Sequence, residues 1–306
     1  MAIPDYQALM LPVLREAAVG ETRVPAAAER IADQLGLSEE EREEMLPSGR
    51  QRVLHNRLHW AKFYMTKAGL IDSPSRGRFV ASEEGRALLA RTPTAIDIDV
   101  LSTFPPFREW YQKTGESAGE EESATKAAVA SEATPEEQID AAYAAIQAAL
   151  KADLLQRVLG QTPAFFERLI VDLLVAMGYG GTHDRAALQL GKSGDGGVDG
   201  VIDEDRLGLD RIYVQAKRYA PHVGVGRPEI QGFVGSLVGL GATKGVFVTT
   251  SSFSTPAGEY VRHIPQRVIL IDGERLAALL VEHDVGVRVS RTIAVKRVDE
   301  DFFADD

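Results

Sequence analysis

The stretch Gly191–Tyr219, GKSGDGGVDGVIDEDRLGLDRIYVQAKRY, gathers glycines, carboxylates, an amide and an amine in a pattern that core packing alone does not require. From Gly197 to Asp203, Val198, Gly200 and Ile202 alternate with Asp199, Val201 and Asp203. Further on, Ile212, Val214 and Ala216 alternate with Tyr213, Gln215 and Lys217. Alternation with a period of two marks a strand, so two strands are expected, with the polar run Glu204–Asp210 as the turn between them. A turn centred near Leu207 sets Asp199 opposite Gln215 and Gly197 opposite Lys217. An acid, an amide and an amine then share one face of a hairpin.

Those residue types suit phosphodiester cleavage. The reaction calls for a divalent cation that activates water and neutralises phosphate oxygens, and Mg²⁺, with Mn²⁺ as the alternative, takes oxygen ligands. Asp199 offers a carboxylate, Gln215 an amide oxygen and Ala216 its main-chain carbonyl. Lys217 is a point charge able to hold the attacking water or to stabilise developing negative charge. The glycines around Asp195 allow close approach of backbone and substrate. The competing reading is a glycine-rich hairpin with solvated charges. A phosphate-binding loop fits less well, because its glycines follow a strand and precede a helix, whereas these precede a strand.

The segment GKSGDGGVDG followed by YVQAKR resembles the signature of the Mrr family of modification-dependent, type IV restriction endonucleases, whose catalytic domain belongs to the PD-(D/E)XK nuclease superfamily. The resemblance implies that Asp199, Gln215 and Lys217 are catalytic, with Gln215 where most of the superfamily carries Asp or Glu. It also implies a role for Glu167 in FFERLIVDLLVAMGY as a further carboxylate on the domain's first helix. The implied substrate is double-stranded DNA carrying methylated adenine or cytosine, and none of the residues by themselves point to that preference.

The chain has 306 residues, a net charge of −11 and no cysteine. The length accommodates two domains. Lack of cysteine excludes a disulfide framework, a thiolate zinc site and a cysteine nucleophile. Asp5, Arg15 and Glu16 interrupt the opening residues, so neither a signal peptide nor a membrane span is expected and the default location is the cytoplasm.

The charge is unevenly spread. From Leu46 to Ala81 there are seven basic residues against the single acid Asp72, a local +6. A phosphate feels charges within a Debye length of roughly 8–10 Å, so a local patch of this kind is the footprint of DNA binding despite the acidic total. Helices are expected over 4–19, 25–35, 38–45 and 49–68, then a returning strand at Arg78–Ala81 and a helix capped by Ser82. Helices followed by a hairpin are the order of a winged helix-turn-helix domain. Arg50, Arg52, Asn56, Arg57, His59 and Lys62 are candidates for DNA contact from the long helix and its approach, with Arg76 and Arg78 from the wing. Trp60, Phe63 and Tyr64 read as core. His55 and His59, one turn apart, lack a neighbouring acid to complete a metal pair. The stretch NRLHWAKFYMTKAGLIDSPSRGRF resembles the N-terminal domain of the same family.

The expected organisation is multi-domain α/β. Residues 1–92 form the winged-helix DNA-binding domain. Residues 93–134 form a linker with short helices, broken at Phe104–Phe107, and an acidic flexible part. Residues 135–290 form a restriction-endonuclease-like domain with a mixed central sheet flanked by helices, and 291–306 an acidic tail. The resemblance to the superfamily further implies that Gln231, on the helix after the hairpin, lies near the site. The resulting reading is a Mg²⁺-dependent endonuclease acting on modified DNA as a homodimer or higher homo-oligomer, because cutting two strands needs two sites. Two rival functions are a modified-DNA-binding protein that does not cut, favoured by the weak ligand Gln215, and a repair nuclease acting on structured DNA.

Overall fold

The structure, a computed structural model, describes residues 2–116, 132–180, 197–205 and 209–296. Of the glycines around Asp195, Gly191, Gly194 and Gly196 lie outside the described residues, as do the turn centre at Leu207 and most of the acidic linker and tail. The chain divides into two compact units, one reaching Ala144 and including the segment from Val295, the other Ala145–Ala294.

The first unit packs α1 (Met10–Val19), α2 (Val24–Leu35) and α4 (Val53–Lys67) around Tyr6, Leu9, Met10, Leu14, Ile31, Leu58 and Met65. Pro25 in the first turn starts α2, and Gly36, at φ +65°, ends it in the left-handed conformation that spares a side chain. Ser38 and Glu41 form the expected capping box on α3 (Glu39–Glu43). The helix expected from Gly49 begins at Val53. Gly49 turns the chain at φ +66°, Leu46 N–H bonds the Gln51 carbonyl, and a Met45–Arg52 bridge closes a small loop ahead of α4.

β2 (Ile71–Asp72) and β3 (Arg78–Ala81) pair antiparallel as a hairpin, with Ile71 opposite Ala81. β1 (Thr22–Arg23), a segment with no strand signal of its own, pairs with the other edge of β3. Ser82 caps α5 (Glu83–Ala90). The prolines at 105 and 106 open α7 (Pro105–Glu116) after the short α6 (Ile98–Leu101), because a missing N–H is harmless in a first turn. Leu101 and Phe107 are fully buried in the same core, and Phe107 and Trp110 pack edge-on against Tyr64 of α4.

The long α8 (Pro135–Leu159) leads to α9 (Pro163–Ala176), capped by Thr162. The sheet order is β4 (Gly200–Asp203), β5 (Arg211–Lys217), β6 (Lys244–Thr249), β7 (Arg267–Ile271). β4 and β5 are antiparallel while β5, β6 and β7 are parallel, giving the mixed sheet expected from strands separated by helices. The crossovers are α10 (Arg227–Gly239) and α11 (Thr255–Arg262), and α12 (Gly273–Glu282) follows β7.

Alternation along the strands assigns the two faces. Ile212, Val214 and Ala216 of β5, with Val246 and Val248 of β6, meet Phe166 and Ile170 of α9 and Leu276 of α12. Phe247 and Val268 instead meet Ile230 and Phe233 of α10 and Ala257 of α11. Continuous apolar strands such as VFV are the consequence of burial on both sides. Where α10 crosses β6 the approach is too close for any side chain. A Cβ on Gly245 would lie 2.8 Å from the Phe233 ring and 2.9 Å from Leu237. Gly245→Ala is therefore expected to destabilise by about 1–3 kcal/mol, the range for overpacking, seen as a lower denaturant midpoint at unchanged slope. A midpoint equal to that of the parent chain would contradict this packing.

Candidate active site and basic surface

β4 and β5 pair with Gly200 opposite Val214 and Ile202 opposite Ile212. The same register carried one step outward sets Asp199 opposite Gln215, and Asp199 N–H bonds the Val214 carbonyl at 2.9 Å. The Asp199 carboxylate then reaches across the ribbon and accepts the Ala216 N–H at 2.8 Å through Oδ2. This bond fixes the carboxylate beside the Gln215–Lys217 backbone. The loop entering Asp199 is tight. Gly197 has φ +71°, and a Cβ there would sit 2.8 Å from Ser236 Oγ of α10.

Glu167 stands on α9 among Phe166, Leu169 and Ile170, which belong to the core. Burial raises its pKa above the ordinary carboxylate value, the Asp199 charge raises it further, and the Lys217 charge opposes both. Glu167, Asp199 and Lys217 therefore feel one another electrostatically. Gln215, opposite Asp199 and two residues before Lys217, lies buried in the strand at 7% exposure. Among the described residues no group of three or more His, Asp or Glu side chains converges to hold a metal. A cation at this place would draw on amide or main-chain oxygen, as Gln215 and the Ala216 carbonyl provide. Gln231, expected near the site, is exposed on α10. Arg218 donates through Nη1 to the Leu159 carbonyl, tying the strand end beside Lys217 to the end of α8.

Two family models match the chain: one described as restriction endonuclease over residues 158–280, the other as Mrr N-terminal domain over 6–91. Across 99% of its length, and all of the relative's, the chain is 35% identical to the type IV methyl-directed restriction enzyme EcoKMrr of Escherichia coli (strain K12). The chain belongs to the Mrr restriction-endonuclease family. Among solved structures, it is similar to the MspJI restriction endonuclease in complex with a 27-mer oligonucleotide. That match has 30% identity over 44% of this chain and 31% of that one, at a TM-score of 0.33. The DNA modification-dependent restriction endonuclease AspBHI matches at 23% identity over 46% of this chain and 36% of its own, at a TM-score of 0.36. The membership expected from GKSGDGGVDG and YVQAKR is met. Among the described residues no helix is long and apolar enough to cross a membrane.

In the N-terminal domain of this Mrr-family chain, the candidate DNA contacts separate into two sets. Arg50, His59 and Arg76 are exposed. Arg52, at the start of α4, pairs with Glu43 at 2.6 Å, and Arg78 pairs with Glu21 at 3.0 Å. The Lys62 ammonium lies 5.6 Å from the centre of the Phe79 ring. Asn56 and Arg57 instead face inward. Asn56, at 1% exposure, accepts the Thr134 hydroxyl at 2.6 Å. Arg57 pairs with Glu137 at 2.7 Å and donates to the Pro4 carbonyl at 3.0 Å. Trp60 Nε1 donates to Glu136 at 2.6 Å.

Thr134, Glu136 and Glu137 thus clasp one face of α4. Sequence reading identifies them only as a helix start, and they are that as well: Glu137 accepts the Thr134 N–H and donates its own N–H to the Thr134 hydroxyl. A Thr-Pro-Glu-Glu run carries no signal for the partner on which its acids settle.

The raised Glu167 pKa has a consequence for stability. An acid that binds its proton more tightly folded than unfolded loses stability as pH rises from the unfolded towards the folded pKa, and the deficit persists above that window. Metal-free Glu167→Gln should accordingly melt higher than the parent at pH 7.5, with the difference vanishing below the ordinary carboxylate pKa. Thermal melts across that pH range check this, and a variant that melts lower at pH 7.5 would remove the case for a strained carboxylate.

Proposed function

We propose that this chain is a type IV restriction endonuclease that hydrolyses phosphodiester bonds of double-stranded DNA carrying methylated adenine or cytosine, in defence against foreign DNA. The observation that carries the reading is the placement of Asp199 opposite Gln215, with Glu167 and Lys217 in electrostatic reach, in a chain of the Mrr family.

Asp199, Gln215, the Ala216 carbonyl and Glu167 would hold one Mg²⁺ or Mn²⁺. The donor set fits such an ion. Asp199 keeps Oδ1 available while Oδ2 takes the Ala216 N–H, and a cation would offset the burial and, secondarily, the Asp199 charge that raise Glu167. When bound, a divalent cation supplies Lewis acidity that makes water acidic and neutralises phosphate charge. Lys217 orients the attacking water and stabilises the negative charge that develops on the phosphoryl oxygens. Asp199 is held in place by its bond to Ala216, so its carboxylate is preorganised when DNA arrives.

The N-terminal unit supports a winged-helix reader. α2 and α4 precede the β2–β3 hairpin, and the exposed Arg50, His59 and Arg76 join Arg52, Lys62 and Arg78 on the candidate DNA surface. Asn56 and Arg57 hold the clasp instead, unless the helix start leaves α4. Cutting both strands supports a homodimer or higher assembly.

Plasmid DNA in methylated and unmethylated forms, incubated with the chain and Mg²⁺ or Mn²⁺, tests the reading. Only methylated plasmid should be cut. Asp199→Ala and Lys217→Ala should each slow cutting by about 10²-fold or more, the scale of losing one group aimed at developing charge, while DNA binding persists. Binding without cutting under any metal would leave a modified-DNA-binding protein, and preference for branched over methylated DNA a repair nuclease.

A further inference from the structure

Beyond Lys217 the strand β5 ends, yet its continuation stays beside the end of β6 through a row of hydroxyl groups that adds to one long main-chain bond, from the Thr250 N–H to the Lys217 carbonyl at 3.4 Å. Lys217 and Thr249 are the last partners in the parallel register. From there the Thr249 hydroxyl donates to the Lys217 carbonyl at 2.9 Å. The Thr250 hydroxyl donates to the Tyr219 carbonyl at 2.7 Å, and the Ser251 hydroxyl to the Pro221 carbonyl at 3.3 Å. Three successive side chains thus serve three alternate carbonyls.

All three residues are buried, Thr249 at 0%, Thr250 at 1% and Ser251 at 5% exposure. A buried hydroxyl is tolerated only when its hydrogen bonds are made, so each side chain is committed to one orientation. Thr249 is doubly committed, since its oxygen also accepts the Ser251 N–H at 3.2 Å. The row is braced from behind. Gly273 N–H bonds the Ser251 carbonyl at 2.8 Å, and a Cβ at Gly273 would lie 2.5 Å from the Thr250 carbonyl, so the start of α12 packs against the row without a side chain between.

Packing alone would be served by valine or isoleucine at these positions, as the preceding Val246 and Val248 illustrate. Hydroxyls matter here because the backbone after Lys217 leaves the ladder: they supply donors to the Tyr219 and Pro221 carbonyls and a 2.9 Å bond to the Lys217 carbonyl, whose main-chain donor, the Thr250 N–H, is 3.4 Å away. The nearest carbonyl they secure is that of Lys217 itself. A lysine side chain has four rotatable bonds, and the position of its ammonium depends on how firmly its Cα is held. A displacement of about 1 Å in a catalytic group can lower a rate on the order of 10²-fold.

We propose that Thr249 and Thr250 are positioning residues that hold the Lys217 backbone, and through it the ammonium, in register with Asp199. The inference rests on the nuclease reading of Asp199 and Lys217. Neither threonine touches the reacting atoms.

Single-turnover cleavage of methylated plasmid by the full chain with Mg²⁺ tests it, beside DNA affinity measured in Ca²⁺, thermal melting, and hydrogen exchange of peptides spanning 214–221. Thr249→Val removes the donor and keeps the shape, and Thr249→Ser keeps the donor. Thr249→Val is expected to cut at least tenfold more slowly at DNA affinity within twofold of the parent and melting within about 3 °C, with faster exchange confined to 214–221. Thr249→Ser should stay within threefold of the parent rate. Thr250→Val should show the same pattern with a smaller loss, and it carries the test if Thr249→Val does not fold. Cutting by folded Thr249→Val at the parent rate would overturn the proposal. So would a Thr249→Ser as slow as the valine variant, or a loss matched by an equal loss of DNA affinity. A parent chain that cuts no substrate sinks the nuclease reading and this proposal with it. A cutting parent with an indifferent valine variant sinks this proposal alone.

Discussion

The antiparallel pairing of β4 with β5 is the constraint on which the site depends. A slip of one residue would turn Asp199 to the opposite face and expose Ile202, because side chains alternate along a strand. The pairing is pinned from several directions. Ile202 and Ile212 are buried together, the Lys244 ammonium bridges Glu204 and Asp210 at the base of the turn, and β5 is locked on its other edge by β6. The short edge strand β4 is thereby held by the central strand, and Asp199 inherits its position from both.

Much of this was legible in the residues. The alternation of Val198–Asp203 and Ile212–Lys217, with a polar run between, determines a hairpin and its register, and the observed pairing of Gly200 with Val214 agrees with it. The parallel order of β5, β6 and β7 follows from apolar strands separated by helix-length segments. Asp199 and Lys217 stand out as candidates in the sequence because an acid and an amine of this spacing serve no packing purpose. Glu167 is different: an acid on an amphipathic helix looks the same whether solvated or half-buried, and only the fold reveals that Asp199 and Lys217 act on it.

What escaped the sequence depends on partners distant along the chain. Thr22 and Arg23 have no strand pattern, and they pair only because β3 presents an open edge. The helix expected from Gly49 loses its first turn to a loop whose closing bond joins Leu46 and Gln51. Thr249, Thr250 and Ser251 look like a strand petering out into a polar turn, yet they are among the least exposed residues of their unit. Asn56 and Arg57, read as groove contacts from their charge and polarity, instead receive Thr134 and Glu137. In each case local pattern identifies a polar group and tertiary pairing decides what it faces.

The clasp changes how the basic stretch from Leu46 to Ala81 counts as an electrolyte. For a protein that binds duplex DNA, each phosphate neutralised releases condensed counterions, and log K falls with log salt by about 0.9 per contact. Arg57, already neutralised by Glu137, releases none while the clasp holds. Arg52 and Arg78 would exchange Glu43 and Glu21 for phosphate, and the abandoned carboxylates would take up cations in return. The local +6 therefore overstates the ionic release available to a bound duplex, and a shallower salt dependence than the count of basic residues suggests is its consequence.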